Sequence, residues 1–237
     1  MKVVRLPSSL GPSDPGRAIA PTAPGGEPPS GALVFDIDGT LYSNAEYMRF
    51  QEDVLVEALA RERGERIDAT RAVIDRMRSE RQAAGLGKTS LGRLFAELGV
   101  GVETSVRWRI ELIDPQEWLD PDPRLAAVLA ELATRYALAA VTNNPRAVGE
   151  RGLEALGVRS RFGVVVGLDD TMASKPAAEP FVRAARLLGL PLGRCISVGD
   201  RYDVDIAPAL AVGMGAILVD GVEDVYELPR TLNREGS

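Results

Sequence analysis

Short apolar runs that alternate with amphipathic stretches restrict what this chain can fold into. Ala32–Ile37 is a short apolar run that reads as a buried strand, and further strands are expected at Ala137–Thr142, Gly163–Leu168, Cys195–Gly199 and Ala216–Val219. Helical segments fall between them at about 122–135, 145–157, 176–189 and 203–212. Strand and helix in alternation predict an α/β fold with a parallel sheet covered on both faces. In such sheets crossovers are right-handed and ligands sit at the carboxyl edge of the strands.

Two intervals break the alternation. Residues 1–31 contain seven Pro, five Gly and four Ser, a composition that cannot bury enough apolar surface to offset its ordering entropy, so a disordered tail is expected there. Residues 45–117 contain no strand-like run. Tyr47, Phe50, Val54 and Ala58 share a helical face, Asp68 reads as the N-cap of a helix over Ala69–Ala84, and Leu91, Leu94, Phe95 and Leu98 form a stripe ending at Gly99. A helical domain at 45–117 inserted into a core of 32–44 and 118–237 is the expected organisation.

Composition narrows the chemistry. The chain of 237 residues has no histidine and a single cysteine, Cys195. That excludes Ser-His-Asp and Cys-His nucleophiles, HExxH zinc helices, imidazole bases, intrachain disulfides and CxxC sites. Acids, bases and nucleophiles must be carboxylates, hydroxyls or amines, with a metal as helper. A net charge of −6 argues against nucleic acid or an anionic membrane as partner. No apolar run is long enough for a transmembrane helix, the N-terminus lacks the features of a signal or transit peptide, and a reducing cytoplasm is the expected location.

Four segments each end a predicted strand and so meet at one sheet edge. Asp36-Ile37-Asp38-Gly39-Thr40 puts two carboxylates on one side of the first strand, with a glycine that lets the chain turn away. Paired carboxylates repel unless a cation or proton lies between them, and an oxygen-liganded magnesium ion resolves that repulsion. Thr142-Asn143-Asn144-Pro145 ends another strand, with Asn144 read as a helix cap and the Thr142 hydroxyl facing the edge. Ser174-Lys175-Pro176 carries one of only three lysines in the chain, against 25 arginines. Gly199-Asp200-Arg201-Tyr202-Asp203-Val204-Asp205 forms a second acidic cluster at a strand end. Taken singly, an acidic turn, a terminal threonine and a lysine before proline each have ordinary structural uses; the ordered set does not.

On these residues the sequence resembles the haloacid dehalogenase superfamily. FDIDGT at 35–40, VTNN at 141–144, SKP at 174–176 and GDRYDVD at 199–205 are similar to its four motifs, and 45–117 resembles its helical C1 cap. The opening FDIDGTLY and the DPDPRL stretch are similar to the pyrimidine 5′-nucleotidase-like branch. The resemblance implies a Rossmann-like parallel core and a magnesium-dependent phosphatase acting on a small phosphorylated metabolite. It implies Asp36 as the nucleophile that becomes an aspartyl phosphate and Asp38 as general acid, then base. Magnesium would be held by Asp36, the Asp38 carbonyl and Asp200, with Asp205 supporting from behind. Thr142 and Lys175 would bind the phosphoryl oxygens, with amides near Gly39 and Asn143, and the cap would exclude water.

Rival readings remain. A phosphoglucomutase-like transfer keeps both aspartates and a C1 cap. A 2-haloacid dehalogenase lacks the second aspartate, so Asp38 favours phosphate chemistry. A phospho-accepting receiver domain is about half this length and lacks the insert, and a catalytically silent binding module retains some weight. Gly87-Lys88-Thr89 fails as a P-loop, since Gln82 stands where a glycine is needed. Lys88 reads as a surface or substrate-facing lysine of the cap, and Cys195 as a buried small residue. The specific ester, and whether the protein is a monomer or homodimer, are not legible.

Overall fold

A computed structural model describes residues 1–5, 29, 31–85 and 89–235. In chain order the elements are β1 Lys2–Arg5, β2 Gly31–Phe35, α1 Ala45–Arg63, α2 Ile67–Ala83, α3 Leu91–Glu97, α4 Val102–Leu112, α5 Pro123–Leu132, β3 Tyr136–Val141, α6 Arg146–Ala155, β4 Val164–Val166, α7 Leu168–Thr171, α8 Glu179–Leu188, β5 Cys195–Gly199, α9 Ala207–Ala211, β6 Gly215–Leu218, α10 Val222–Tyr226 and α11 Leu228–Glu235. The chain divides into two compact units, Met1–Ser43 with Pro115–Ser237, and Asn44–Asp114.

The first unit is an α/β core around a six-stranded sheet of order β1-β6-β5-β2-β3-β4. β2 sits at the centre, parallel to β3 and β5, and Ala32, Leu33, Val34 and Phe35 are all buried. A strand flanked on both edges and covered on both faces has no solvent side, which is why its sequence is continuously apolar. Phe35 meets Phe162 edge-to-face at 6.0 Å, and Phe181, Ala184, Ala185 and Leu188 bring one face of α8 against the sheet. Pro123 after Asp122, whose side chain accepts from Leu125 N at 2.9 Å, fixes the start of α5.

The expected disordered tail needs correction at its start. Lys2–Arg5 form β1, antiparallel to β6, with Lys2 opposite Leu218 and Val3 opposite Ile217. The Met1 amine pairs with Asp224 at 2.5 Å. Two adjacent valines carry enough β-propensity for an edge strand, a local signal hidden by the Pro/Gly average of the longer segment. Pro29 is buried, and its carbonyl accepts from Arg194 Nη2 at 3.3 Å. The rest of the expected tail, 6–28 and 30, lies outside the described residues, as does Lys88.

The second unit is helical. Asn44 caps α1 by accepting from Tyr47 N at 3.0 Å, and Gly64 ends it in the left-handed region at φ 65°. Leu55, Leu59, Ile74, Leu94, Phe95 and Trp108 are buried within it, with Phe95 and Trp108 edge-to-face at 6.0 Å. The buried face of α1 is centred on Tyr47, Leu55 and Leu59, while Phe50 and Val54 of the expected stripe are half-buried. Asp68 is not the N-cap of α2: the helix begins at Ile67 and Asp68 lies in its first turn, where its charge still favours the helix dipole. Arg78 holds Glu52 through two hydrogen bonds of 2.6 and 2.9 Å, tying α2 to α1. Among the described residues, no helix is long and apolar enough to cross a membrane.

Candidate active site

The carboxyl ends of β2, β3 and β5 converge with the segment before α8, as the topology requires. β2 ends at Phe35, and the Asp36 amide still donates to Val198 O of β5 at 2.8 Å, which fixes the backbone from which its side chain projects. Gly39 follows at φ 87°, and a Cβ there would lie 2.9 Å from Asp200 Oδ2. Both the backbone angle and the close carboxylate exclude a side chain. At Gly199 the close approach alone excludes a side chain, since a Cβ would sit 2.4 Å from Asp205 Cβ.

Asp36, Lys175 and Asp205 form a buried triad. Lys175 Nζ donates to Asp36 Oδ1 at 2.5 Å and to Asp205 Oδ1 at 2.6 Å, and the lysine is only 2% exposed. Its backbone is clamped from both sides: Lys175 N donates to Asn143 Oδ1 at 2.7 Å, and Asn143 Nδ2 donates to Lys175 O at 3.1 Å. Asp205 lies in a π-helical turn over Tyr202–Ile206, where the sequence predicts a plain helix start. Its Oδ2 accepts from Arg201 N at 3.1 Å and its carbonyl accepts from Ser197 Oγ at 2.9 Å.

Carboxylate oxygens of Asp36, Asp200 and Asp205 all lie within 4.8 Å of one another. Burial, with the neighbouring Asp205, Asp38 and Asp200 charges, pushes the Asp36 carboxyl well above the usual carboxylate range despite Lys175. Burial also raises Asp200, reinforced by Asp205. Lys175 is held protonated, because its two carboxylate partners outweigh the desolvation that opposes them. When all three carboxylates ionise against the one ammonium, two negative charges are left over, which is what a divalent cation would neutralise. All donors are hard oxygens, so the residues present fit a magnesium-type ion.

Asp38 is held apart from that cluster. Its Oδ1 accepts from Tyr42 Oη at 2.5 Å and from Asn144 Nδ2 at 3.4 Å; its Oδ2 accepts from Thr142 Oγ1 at 3.2 Å. Thr142 Oγ1 also accepts from Asn144 N at 3.0 Å. Asn144 therefore does not cap α6, as its position before Pro145 suggests. Pro145 is the N-cap, and the Asn144 amide is turned to Asp38 instead. The sequence-predicted site residues thus fall into two groups at this sheet edge: Asp36, Gly39, Asn143, Lys175, Asp200 and Asp205 around the buried ammonium, and Asp38 with Thr142.

Sequence reasoning missed Tyr42 and Thr40. Thr40 Oγ1 lies 3.4 Å from both Asp36 Oδ2 and Asp200 Oδ1. Tyr42 reaches Asp38 because the turn after Gly39 folds back into an isolated bridge between residues 38 and 42. A buried tyrosine close after paired aspartates was the available signal, since its hydroxyl needs a partner when buried.

Comparison with known proteins identifies the family. A family description of haloacid dehalogenase-like hydrolases matches residues 31–213. The chain belongs to that family. Among curated relatives, it is 28% identical over 200 residues to a glyceraldehyde 3-phosphate phosphatase of Methanothermobacter thermautotrophicus, covering 80% of this chain and 85% of that protein. It is 31% identical over 204 residues to a phosphoglycolate phosphatase of Salmonella choleraesuis, covering 78% and 79%. The fold is shared with a haloacid dehalogenase-type phosphatase structure from Thermococcus onnurineus at TM-score 0.57 and 24% identity, covering 85% of this chain and 97% of that one.

Proposed function

We propose that this hydrolase is a magnesium-dependent phosphomonoesterase that acts on small phosphorylated metabolites through an aspartyl-phosphate intermediate. The observation that carries the reading is the division of labour between two carboxylates on one strand end. Asp36 is buried against Lys175 in the acidic cluster, and Asp38 is turned away onto Thr142, Asn144 and Tyr42. Two carboxyl groups in different surroundings suit a nucleophile and a proton carrier. The phosphatase names of the relatives support the reaction class.

In this reading an Asp36 oxygen attacks phosphorus, the phosphorus–oxygen ester bond breaks, and the leaving oxygen takes a proton from Asp38. Asp38, now ionised, accepts a proton from water as that water attacks the acyl phosphate. Phosphate departs and the Asp36 carboxylate is restored. Lys175 and the Thr142 hydroxyl bind and orient the phosphoryl oxygens, together with amides near Gly39 and Asn143. Asp36, Asp200 and the Asp38 carbonyl would hold magnesium, with Asp205 behind them. Magnesium, when bound, neutralises charge on the transferring group. One buried cysteine and no disulfide suit a cytoplasmic setting.

The test is phosphate release from a panel of phosphoglycolate, glyceraldehyde 3-phosphate, sugar phosphates and nucleoside monophosphates, with wild type and Asp36→Asn in parallel. Selective release that is lost in the variant and in EDTA supports the reading. Release undiminished in Asp36→Asn or in EDTA overturns it.

A further inference from the structure

The first unit carries an open surface groove of about 390 Å³ whose walls take no part in the constellation above. It is lined by Asp170 and Thr171 at the end of α7, by Ala178 just before α8, and by Glu179, Val182, Arg183 and Arg186 along α8. That volume lies within the range of pockets that hold small molecules.

The charge inside it is uncommitted. Arg183 and Arg186 are three residues apart and so lie on one face of α8. Neither guanidinium has an ion pair among the described residues; Arg186 is exposed, and Arg183 is half-buried with its Nε shielded from solvent and without a hydrogen-bond partner. A buried guanidinium nitrogen lacking an acceptor is costly, and an oxyanion is the group that satisfies it. Asp170 is already engaged. Its Oδ2 accepts from Arg146 Nε at 2.9 Å and from Gly167 N at 2.8 Å. Among the lining residues, Glu179 is left to oppose the two arginines, so the groove is locally cationic in a chain of net charge −6. Val182 is 39% exposed and, with Ala178, supplies an apolar surface beside the guanidinium groups.

We propose that this groove is a second binding site, for a small organic anion whose carboxylate or phosphoryl oxygens engage Arg183 and Arg186 and whose apolar body lies on Ala178 and Val182. Its two walls flank the segment 172–177 that carries Lys175. An occupant touching both walls bridges the ends of that segment, and this gives the site a route to the catalytic lysine without sharing a residue with it.

Benzoate and phenylphosphonate, which share an apolar body and differ in head group, separate the two oxyanion chemistries. Each is titrated into the full-length, 15N-labelled protein while backbone amide resonances are followed. The site predicts saturable shifts at Thr171 and across 178–186 with at least one probe. In Arg183→Gln/Arg186→Gln the midpoint of those shifts moves about ten-fold or more to higher concentration, the loss expected for a charge-assisted hydrogen bond. Phenylphosphonate shifts at Thr142 and Lys175, if present, report the other site and should survive in the double variant, which also serves as the control for folding. The single variant Arg186→Gln is expected to lie between the two. No saturable shift at 171 and 178–186 with either probe, or shifts unchanged in the double variant, would overturn the proposal. Neither result depends on phosphatase turnover.

Discussion

Tyr42 Oη donates to Asp38 Oδ1 at 2.5 Å, from a tyrosine that is itself buried. The bond fixes one carboxyl oxygen of Asp38, while Thr142 and Asn144 hold the other. In the proposed reaction Asp38 must give and then take a proton at a defined position, and a fixed carboxyl does so without a reorganisation cost. Tyr42→Phe removes only the hydroxyl. The expected result is a fall in kcat of about ten- to hundred-fold, the worth of a hydrogen bond to a charged group, with KM little changed. An equal rise in KM with kcat unaltered would assign Tyr42 to substrate binding instead.

Lys175 is the cation that allows Asp36 and Asp205 to be buried together. Lys175→Met keeps the length of the side chain and removes its charge. Breaking a buried pair by removing one partner costs about 3–5 kcal/mol, so a clear drop in Tm at pH 7 is expected along with loss of phosphatase activity. The pH dependence has a definite sign. Burial raises the folded pKa of Asp36 above its unfolded value, so the associated stability is present at acid pH and lost as the pH rises through the folded pKa. Loss of the ammonium raises it further, and the stability deficit of the variant should shrink on acidification towards pH 5. A deficit that widens on acidification would contradict this account.

Magnesium removal acts on the same charges. An ion that binds the folded cluster and not the unfolded chain stabilises by mass action, so the Tm of wild type should rise with magnesium concentration and fall in EDTA. Asp200→Asn should flatten that response. The cation-fit argument fails if the Tm is indifferent to magnesium in wild type.

Most of the fold was legible because the strands that build the site are buried on both faces. Ala32–Phe35 advertises that burial through an unbroken apolar run and Cys195–Gly199 through one interrupted only by Ser197, and the acidic residues that follow them break the pattern at the candidate site. The N-terminal strand was not legible, because Lys2–Arg5 is an edge strand of four residues embedded in a Pro/Gly-rich context. Asn144 was misread for a different reason. A local rule places an asparagine before proline as a helix cap, but Asp38, 106 residues earlier in the chain, competes for its amide and wins. Such long-range hydrogen bonds leave no trace in local spacing.

Cys195 offers a pH test away from the site. Burial pushes its thiol up to about 12. Native protein should therefore resist iodoacetamide at pH 8 and react only once unfolded, since the thiolate is the nucleophile. The raised folded pKa means that this group's contribution to stability is complete below about pH 8.5, the thiol's ordinary value, and declines above it. Cys195→Ala should show a shallower loss of Tm between pH 8 and 10 than wild type. Rapid alkylation of the native protein at pH 8 would contradict the burial.

The central claim is that Asp36 carries the phosphoryl group, and it is tested most directly by trapping. Wild type turning over its best phosphomonoester with magnesium is quenched in acid, digested, and examined by mass spectrometry for a hydroxylamine-labile phosphoryl group. The account predicts one phosphoryl mass on the peptide containing Asp36, absent in Asp36→Asn and accumulating when Asp38→Asn slows hydrolysis of the intermediate. Phosphate release at full rate with Asp36 unmodified, or a phosphoryl group on a different residue, would contradict it.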